Sequence, residues 1–367
     1  KVLHLLDSVD RGGAEAQAVD VCRNAAHFGI GMTLVSGAGG AMENAFRDSG
    51  VDYVPLKRKL AVDVYFASQL RRIIKENEID IVHGYQAVDG LHLYLATRGL
   101  KDVRRVLSFQ GFIADRKNKI TSKFLIPRMD ANIVVSGGMR KWLHDVDGLD
   151  TSRNFHVIYN GADPARLKPT GRSIRKELGL EKEALLAGMV GNFYRDPRKD
   201  QLTVCRALPS VFAKFTNAHF LFAGRIEEGA ESKMADCVSF CRDNGIADRV
   251  HFLGPRGDVP DILAELDIFV FSSLHEGLPV AVSEAMLAGV PMIVSDIEPL
   301  LEVTGGGEFA EVFPAKDAGV LSEKLSLLLG DPDRRHGLSR GAKAFARDNF
   351  SIDAHMRELV KLYRSLK

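Results

Sequence analysis

The 367-residue chain has one tryptophan, four cysteines and thirteen prolines, too few of each to stiffen an unusual scaffold. No run of eighteen apolar residues occurs, so no segment qualifies as a membrane span. The opening KVLHLLDSVD meets an acid after six residues, which does not suit the core of an export signal. Lys and Arg total 49 against 48 Asp and Glu, a net charge of +1, so there is no global field to draw nucleic acid. Cys22, Cys205, Cys237 and Cys241 are scattered, and only the last two are close, at a helical i, i+4 spacing with no further zinc ligands grouped there. They read as reduced, structural thiols of a cytoplasmic protein, and no metal is expected. The glycines of SGAGGAM, residues 36–42, do not complete G-x-G-x-x-G, and no ribose-binding acid follows at the required distance, which argues against a nicotinamide dehydrogenase. Asp145-Val-Asp147 ends a helical pattern instead of following a strand, so it does not supply the acid pair of a metal-dependent transferase.

The composition is that of an ordinary globular protein, 46% hydrophobic and 26% charged, and the length favours two domains over one growing core. Short β-branched or leucine-rich runs alternate with amphipathic stretches, the rhythm of parallel βα units. One series of expected strands runs Val2–Leu6, Met32–Val35, Asp52–Leu56, Ile79–His83, Arg105–Phe109, Ala131–Val135 and His156–Tyr159. A second runs Leu185–Val190, His219–Phe222, Val250–Leu253, Ile268–Phe271, Met292–Val294 and Glu311–Phe313. NGADPARLKPTGRS, residues 160–173, reads as the connection between them. The expectation is an α/β chain of two Rossmann-like domains, 1–163 and 164–348, facing across a cleft. A last helix, 349–367, follows the break RDNFS and crosses back to the first domain.

Ligands of such sheets sit where strands end and helices begin. The richest segment there is DIFVFSSLHEGLPVAVSEAMLAGVPMIVSD, residues 267–296. A buried strand to Phe271 leads through a turn to a helix expected to begin at Pro279 and to end at Gly289. Its free N–H groups, with Gly277 allowing close backbone approach, form an anion site. Glu276 precedes the helix and Glu284 lies on it, eight residues later, so a helical rise would separate them by about 12 Å. Two carboxylates at that distance suit a ribose and a sugar with a diphosphate held between. Isolated acids so spaced are more often solvated, but Val280, Val282, Ala285, Met286 and Leu287 leave little of this helix for water.

This E-x7-E block and the AMLAGVPMIVSD after it resemble the retaining GT-B-fold glycosyltransferases of family 4, which include many bacterial surface-polysaccharide enzymes. VHFLGPRGDVPDILAELDIFVFSS resembles the family's upstream run, and the likeness extends from GGAE near the start to the C-terminal helices. It implies that Glu276 contacts the transferred sugar, Glu284 the ribose, and the backbone of His275, Gly277, Leu278 and Pro279 the diphosphate or sugar. Gly254 to Gly257, Arg256 among them, would border the base. Gly12 and Gly13, between the first strand and a helix, would lie over the donor phosphates. Lys199 fits the family's diphosphate-binding lysine. The arginine slot holds Asn192, so the second cation must come from Arg195, Arg198 or Arg225, with Arg195 preferred. His83 and Gln110 end strands facing the expected cleft; many relatives carry histidine where Gln110 stands, and glutamine cannot act as a base.

From Arg98 to Lys141, eleven basic residues stand against three acids, a stretch that suits anionic lipid head groups or an acceptor diphosphate. The resemblance implies transfer of a hexose from a nucleoside diphosphate sugar to a saccharide or lipid-linked acceptor. Neither cofactor nor metal takes part, and the enzyme works in the cytoplasm, at the inner face of the plasma membrane. A nucleotide-sugar 2-epimerase of the same fold and a non-catalytic nucleotide-sugar scaffold are the alternatives, the latter suggested by Asn192 and Gln110.

Overall fold

A computed structural model describes residues 1–10, 12–111, 113 and 115–367. The chain forms two compact units, Lys1–Ala162 with Ile352–Lys367, and Asp163–Ser351. In the first, strands β1 (Val2–Leu6), β2 (Met32–Ser36), β3 (Asp52–Pro55), β4 (Ile81–Gly84), β5 (Arg104–Phe109), β6 (Ala131–Val134) and β7 (Phe155–Val157) form one parallel sheet. Their spatial order is β3-β2-β1-β4-β5-β6-β7. In the second, β8 (Leu185–Val190), β9 (Ala218–Ala223), β10 (Val250–Phe252), β11 (Ile268–Phe271), β12 (Met292–Ser295) and β13 (Glu311–Phe313) pair in parallel in the order β10-β9-β8-β11-β12-β13. Helices cover both faces of such sheets, so the central strands are apolar without alternation, as in the fully buried IFVF of β11. The order of strands reverses between β1 and β4 and between β8 and β11, which fixes one crevice at the carboxyl edge of each sheet.

The strand ends shift by a residue or two where local geometry intervenes. Ile79 is buried but precedes β4, because Glu78 takes a left-handed φ of 52° and the Ile79 amide closes on Ile74 O. The break before the last helix is Ser351 alone, since the helix Pro332–Phe350 continues through RDNF and buries Phe350 against Phe345.

The segment 160–173 is not a free connection. After Ala162 it is fastened to the second unit by amides of Thr170, Gly171 and Arg172, which donate to Asp261 at 2.8 to 3.1 Å. The helix Ile352–Ser365 returns to the first unit, placing Ile352, Met356, Leu359, Leu362 and Tyr363 in that unit's core. Their i, i+3, i+4 spacing forms one apolar face, and burying each such side chain stabilises by about 1.5 to 3 kcal/mol before entropy is counted.

Candidate functional site

The carboxyl edge of the second sheet is drawn together by glycine. The Gly224 amide, just past β9, donates to Gly254 O, just past β10, at 2.9 Å, and Gly254 has a φ of +66°. A Cβ on Gly224 would overlap the backbone of Gly191 at the end of β8. Three strand ends therefore meet backbone to backbone. Alongside, the loop after β8 is joined to the loop after β11. Lys199 and Ser273 form an antiparallel bridge, the Asp200 amide donates to Ser272 O at 3.1 Å and the Leu274 amide to Arg198 O at 2.7 Å.

That backbone pairing places Lys199 Nζ on Glu276 Oε1, with Ser273 Oγ donating to the same oxygen at 2.6 Å. Both charged side chains are nearly enclosed, 8% and 10% exposed, and the ammonium lies 4.0 Å from the centre of the Phe271 ring. Burial pulls the Lys199 pKa below its ordinary value, and Glu276 only partly restores it. Four residues on, the helix Val280–Ala288 begins with Pro279 as its flanking residue, no side chain among the described residues caps its first turn, and it ends at Gly289 with φ +82°. Pro279 thus precedes the helix instead of opening it. Only Val280 to Glu284 contributes helical rise between the two glutamates, about 6 Å instead of 12 Å.

Glu284, 11% exposed, accepts from Arg166 Nη2 at 2.7 Å. His275 has Nε2 3.9 Å from Asp196, and burial lowers its pKa. The Leu278 side chain is buried, so that residue can offer a ligand only its backbone.

The cations differ in availability. Arg198 is held by Asp196 through Nε and Nη2, at 2.9 and 2.6 Å, and lies over Tyr194. Arg195 is exposed and its amide donates to Glu227 at 2.7 Å. Asn192, in the arginine slot, accepts the Arg225 amide at 3.0 Å and so binds two loops together. Asp258 and Glu177 each accept from Arg256 at 2.6 Å, and its side chain is only 12% exposed. Two carboxylates on one guanidinium clamp the loop after β10.

In the first unit, Gly12 is the residue flanking the helix Gly13–Ala25 and has an extended φ of −160°. What it permits is close approach of the Glu15 carboxylate, which a Cβ would meet. Gln110 follows β5, its Oε1 buried and without a partner among the described residues. His83 lies in the interior of the first unit. It is 2% exposed, with Nδ1 on Tyr363 OH and Nε2 on Ser108 Oγ, each at 2.6 Å. His4 extends the chain, bonding Tyr363 OH at 2.9 Å and Tyr85 OH at 3.0 Å. Burial pushes the His83 pKa well below its ordinary value, so it is a neutral core residue that fastens the last helix. Sequence reasoning missed Ser273, Arg166 and Asp196; Ser273, three residues before Glu276, had a local signal, whereas Arg166 was hidden in a stretch that looked like a connection.

The basic stretch does not form one face. Arg104 reaches Leu366 O, Arg105 reaches Thr97, Lys119 pairs with Asp147 and Arg140 reaches Thr151 O. Arg116, Lys117, Lys123 and Arg128 remain exposed on and beside the helix Arg116–Leu125.

Residues 11–166 match the family described as Glycosyltransferase Family 4, and residues 184–331 match Glycosyl transferases group 1. The lipopolysaccharide core biosynthesis mannosyltransferase LpsB of Rhizobium meliloti is 28% identical over 69% of this chain and 70% of its own length. The UDP-Gal:alpha-D-GlcNAc-diphosphoundecaprenol alpha-1,3-galactosyltransferase of Escherichia coli is 26% identical over 65% of this chain and 63% of its own length. The fold superimposes on Anabaena Alr3699/HepE, crystallised with UDP, with a TM-score of 0.86 and 18% identity, covering 100% of both chains. Two parallel-sheet Rossmann-like units with these matches define the GT-B class of glycosyltransferases. Within that class, residues 11–166 belong to family 4 and residues 184–331 to group 1.

Proposed function

We propose that this chain transfers a hexose from a nucleoside diphosphate sugar to a hydroxyl of a saccharide or lipid-linked acceptor in surface-polysaccharide synthesis, with retention of configuration and without metal or cofactor. The observation that carries this reading is the buried Lys199–Glu276 pair beside the uncapped start of the helix Val280–Ala288. A lysine and free helix amides can carry the charge of a departing diphosphate, and a carboxylate held by Ser273 can accept sugar hydroxyls. The relatives named above act on lipopolysaccharide core and on a diphosphoundecaprenol-linked sugar, and the structural neighbour binds UDP. These support the donor and acceptor classes. Retention is implied by the family resemblance.

The test is incubation with UDP-, GDP- and ADP-hexoses in the presence of a lipid-linked saccharide. Glycosylated acceptor with the axial or equatorial configuration of the donor is the expected product. An epimeric nucleotide sugar would make the chain a 2-epimerase, and tight binding with no turnover would make it a scaffold.

The acceptor side of the reading is an anionic membrane surface at the inner face of the plasma membrane. No helix among the described residues is long and apolar enough to cross a membrane. Exposed Ile120 and Phe124 lie among Arg116, Lys117, Lys123 and Arg128, while Leu60, Val62, Val64 and Tyr65, 54 to 74% exposed, follow Lys57 and Lys59. The helices that carry or adjoin them, Val64–Glu76 and Arg116–Leu125, both pack on Ala87–Ala96 and so lie in one layer. Apolar side chains among cations suit insertion at an anionic interface. Flotation with phosphatidylglycerol vesicles should carry the protein upward, and neutral vesicles should not.

A further inference from the structure

We infer that Arg166 is the positioning residue that keeps Glu284 aimed as the acceptor for the nucleotide's ribose hydroxyls; this rests on the reading of Glu284 as the ribose contact. Arg166 Nη2 donates to Glu284 Oε1 at 2.7 Å, and the carboxylate side chain is 11% exposed. A guanidinium bonded to one carboxylate oxygen fixes the direction of the other, and a diol requires acceptors held in place. The arginine is itself held rigidly. Asp163 nucleates the turn that carries it, accepting the Ala165 amide on Oδ1 at 2.8 Å and the Arg166 amide on its carbonyl at 3.0 Å. Leu167 is buried beside it, and the Asp261 clamp on Thr170 to Arg172 fixes the chain a few residues later. Arg166 lies four residues past Ala162, where the chain leaves the first unit. A residue held at both flanks, with its guanidinium on a carboxylate of the site, sets that carboxylate's direction.

The experiment measures UDP affinity by titration calorimetry for wild type, Arg166→Ala, Arg166→Lys, Glu284→Ala and the Arg166→Ala/Glu284→Ala pair, with melting curves for each. Arg166→Ala should weaken UDP by about 10-fold, and Arg166→Lys should recover most of it. In the double variant, loss should not exceed that of Glu284→Ala by more than about 2-fold, since the two act through one group. Donor KM should rise while kcat stays within about 3-fold, because the contact is remote from the bond that breaks. A lower melting temperature with unchanged UDP affinity would make Arg166 merely structural and overturn the inference. Additive losses in the double variant would also overturn it. Unchanged UDP affinity in Glu284→Ala would instead remove the donor reading, and this inference with it.

Discussion

Lys199 Nζ and Glu276 Oε1 form an ion pair across two loops, 77 residues apart in sequence, with both side chains almost fully enclosed. Their partnership means that neither charge can be removed alone without leaving the other buried and uncompensated, a loss of about 3 to 5 kcal/mol for well-buried pairs. Charge removal must therefore be read in stability and in turnover together.

Lys199→Ala should lower the melting temperature and cut turnover by about 100-fold or more, with added magnesium failing to restore it. The double variant Lys199→Met/Glu276→Gln should regain part of the lost stability and none of the turnover. Near-normal turnover in Lys199→Ala would show that the lysine serves the fold alone.

Glu276→Gln keeps the shape of the side chain and its bond from Ser273. UDP affinity should stay within about 0.5 kcal/mol of wild type while transfer falls at least about 10-fold, the mark of a contact that matters at the reacting centre. Calorimetry and initial rates on the same preparation decide it. An equal loss of UDP affinity would reverse the order of the two glutamates along the donor.

Arg256→Ala offers the opposite pattern. Its guanidinium ties Glu177 to Asp258, so its loss should lower the melting temperature by several degrees, while UDP affinity stays within about 2-fold. A 10-fold or greater loss of UDP affinity at full stability would return Arg256 to the binding site.

The buried histidines predict acid sensitivity in the first unit. Burial lowers His4 to about 3 and His355 to about 4, and holds His83 well below its ordinary value. Each binds a proton more readily in the unfolded chain, where the pKa is near 6.5. Their contribution is complete above pH 6.5 and is lost as pH falls from there toward 4, with a slope of up to about 1.4 kcal/mol per pH unit for each group. Urea unfolding between pH 7.5 and 4.5 should follow that slope, and His355→Gln should flatten it. Tyr363→Phe removes the hydroxyl that bridges His4 and His83 and should cost about 1 to 3 kcal/mol at neutral pH. A pH-independent midpoint would mean that these rings take up protons as readily in the folded protein as in the unfolded chain.

Most strands were legible before any coordinates, because strands covered on both faces become unbroken apolar runs such as IFVF and VLHLL, a signal that short windows carry in full. Glu276 and Glu284 were legible for a similar reason, as acids in and beside a helix too apolar to be solvated. Ionic partnership is not local in that sense. Whether Lys199 meets Glu276 depends on β8 and β11 lying side by side, and whether Arg256 is free or clamped depends on Glu177, 79 residues away, reaching the loop after β10. His83 looked like a strand-end ligand until the last helix placed Tyr363 upon it, 280 residues later in the chain. Residues 160–173 looked like an unattached connection because prolines and glycines report only the absence of a regular element. The hydrogen bonds that fasten them come from Asp261, and a backbone amide finds such an acceptor only after the sheet has brought it near.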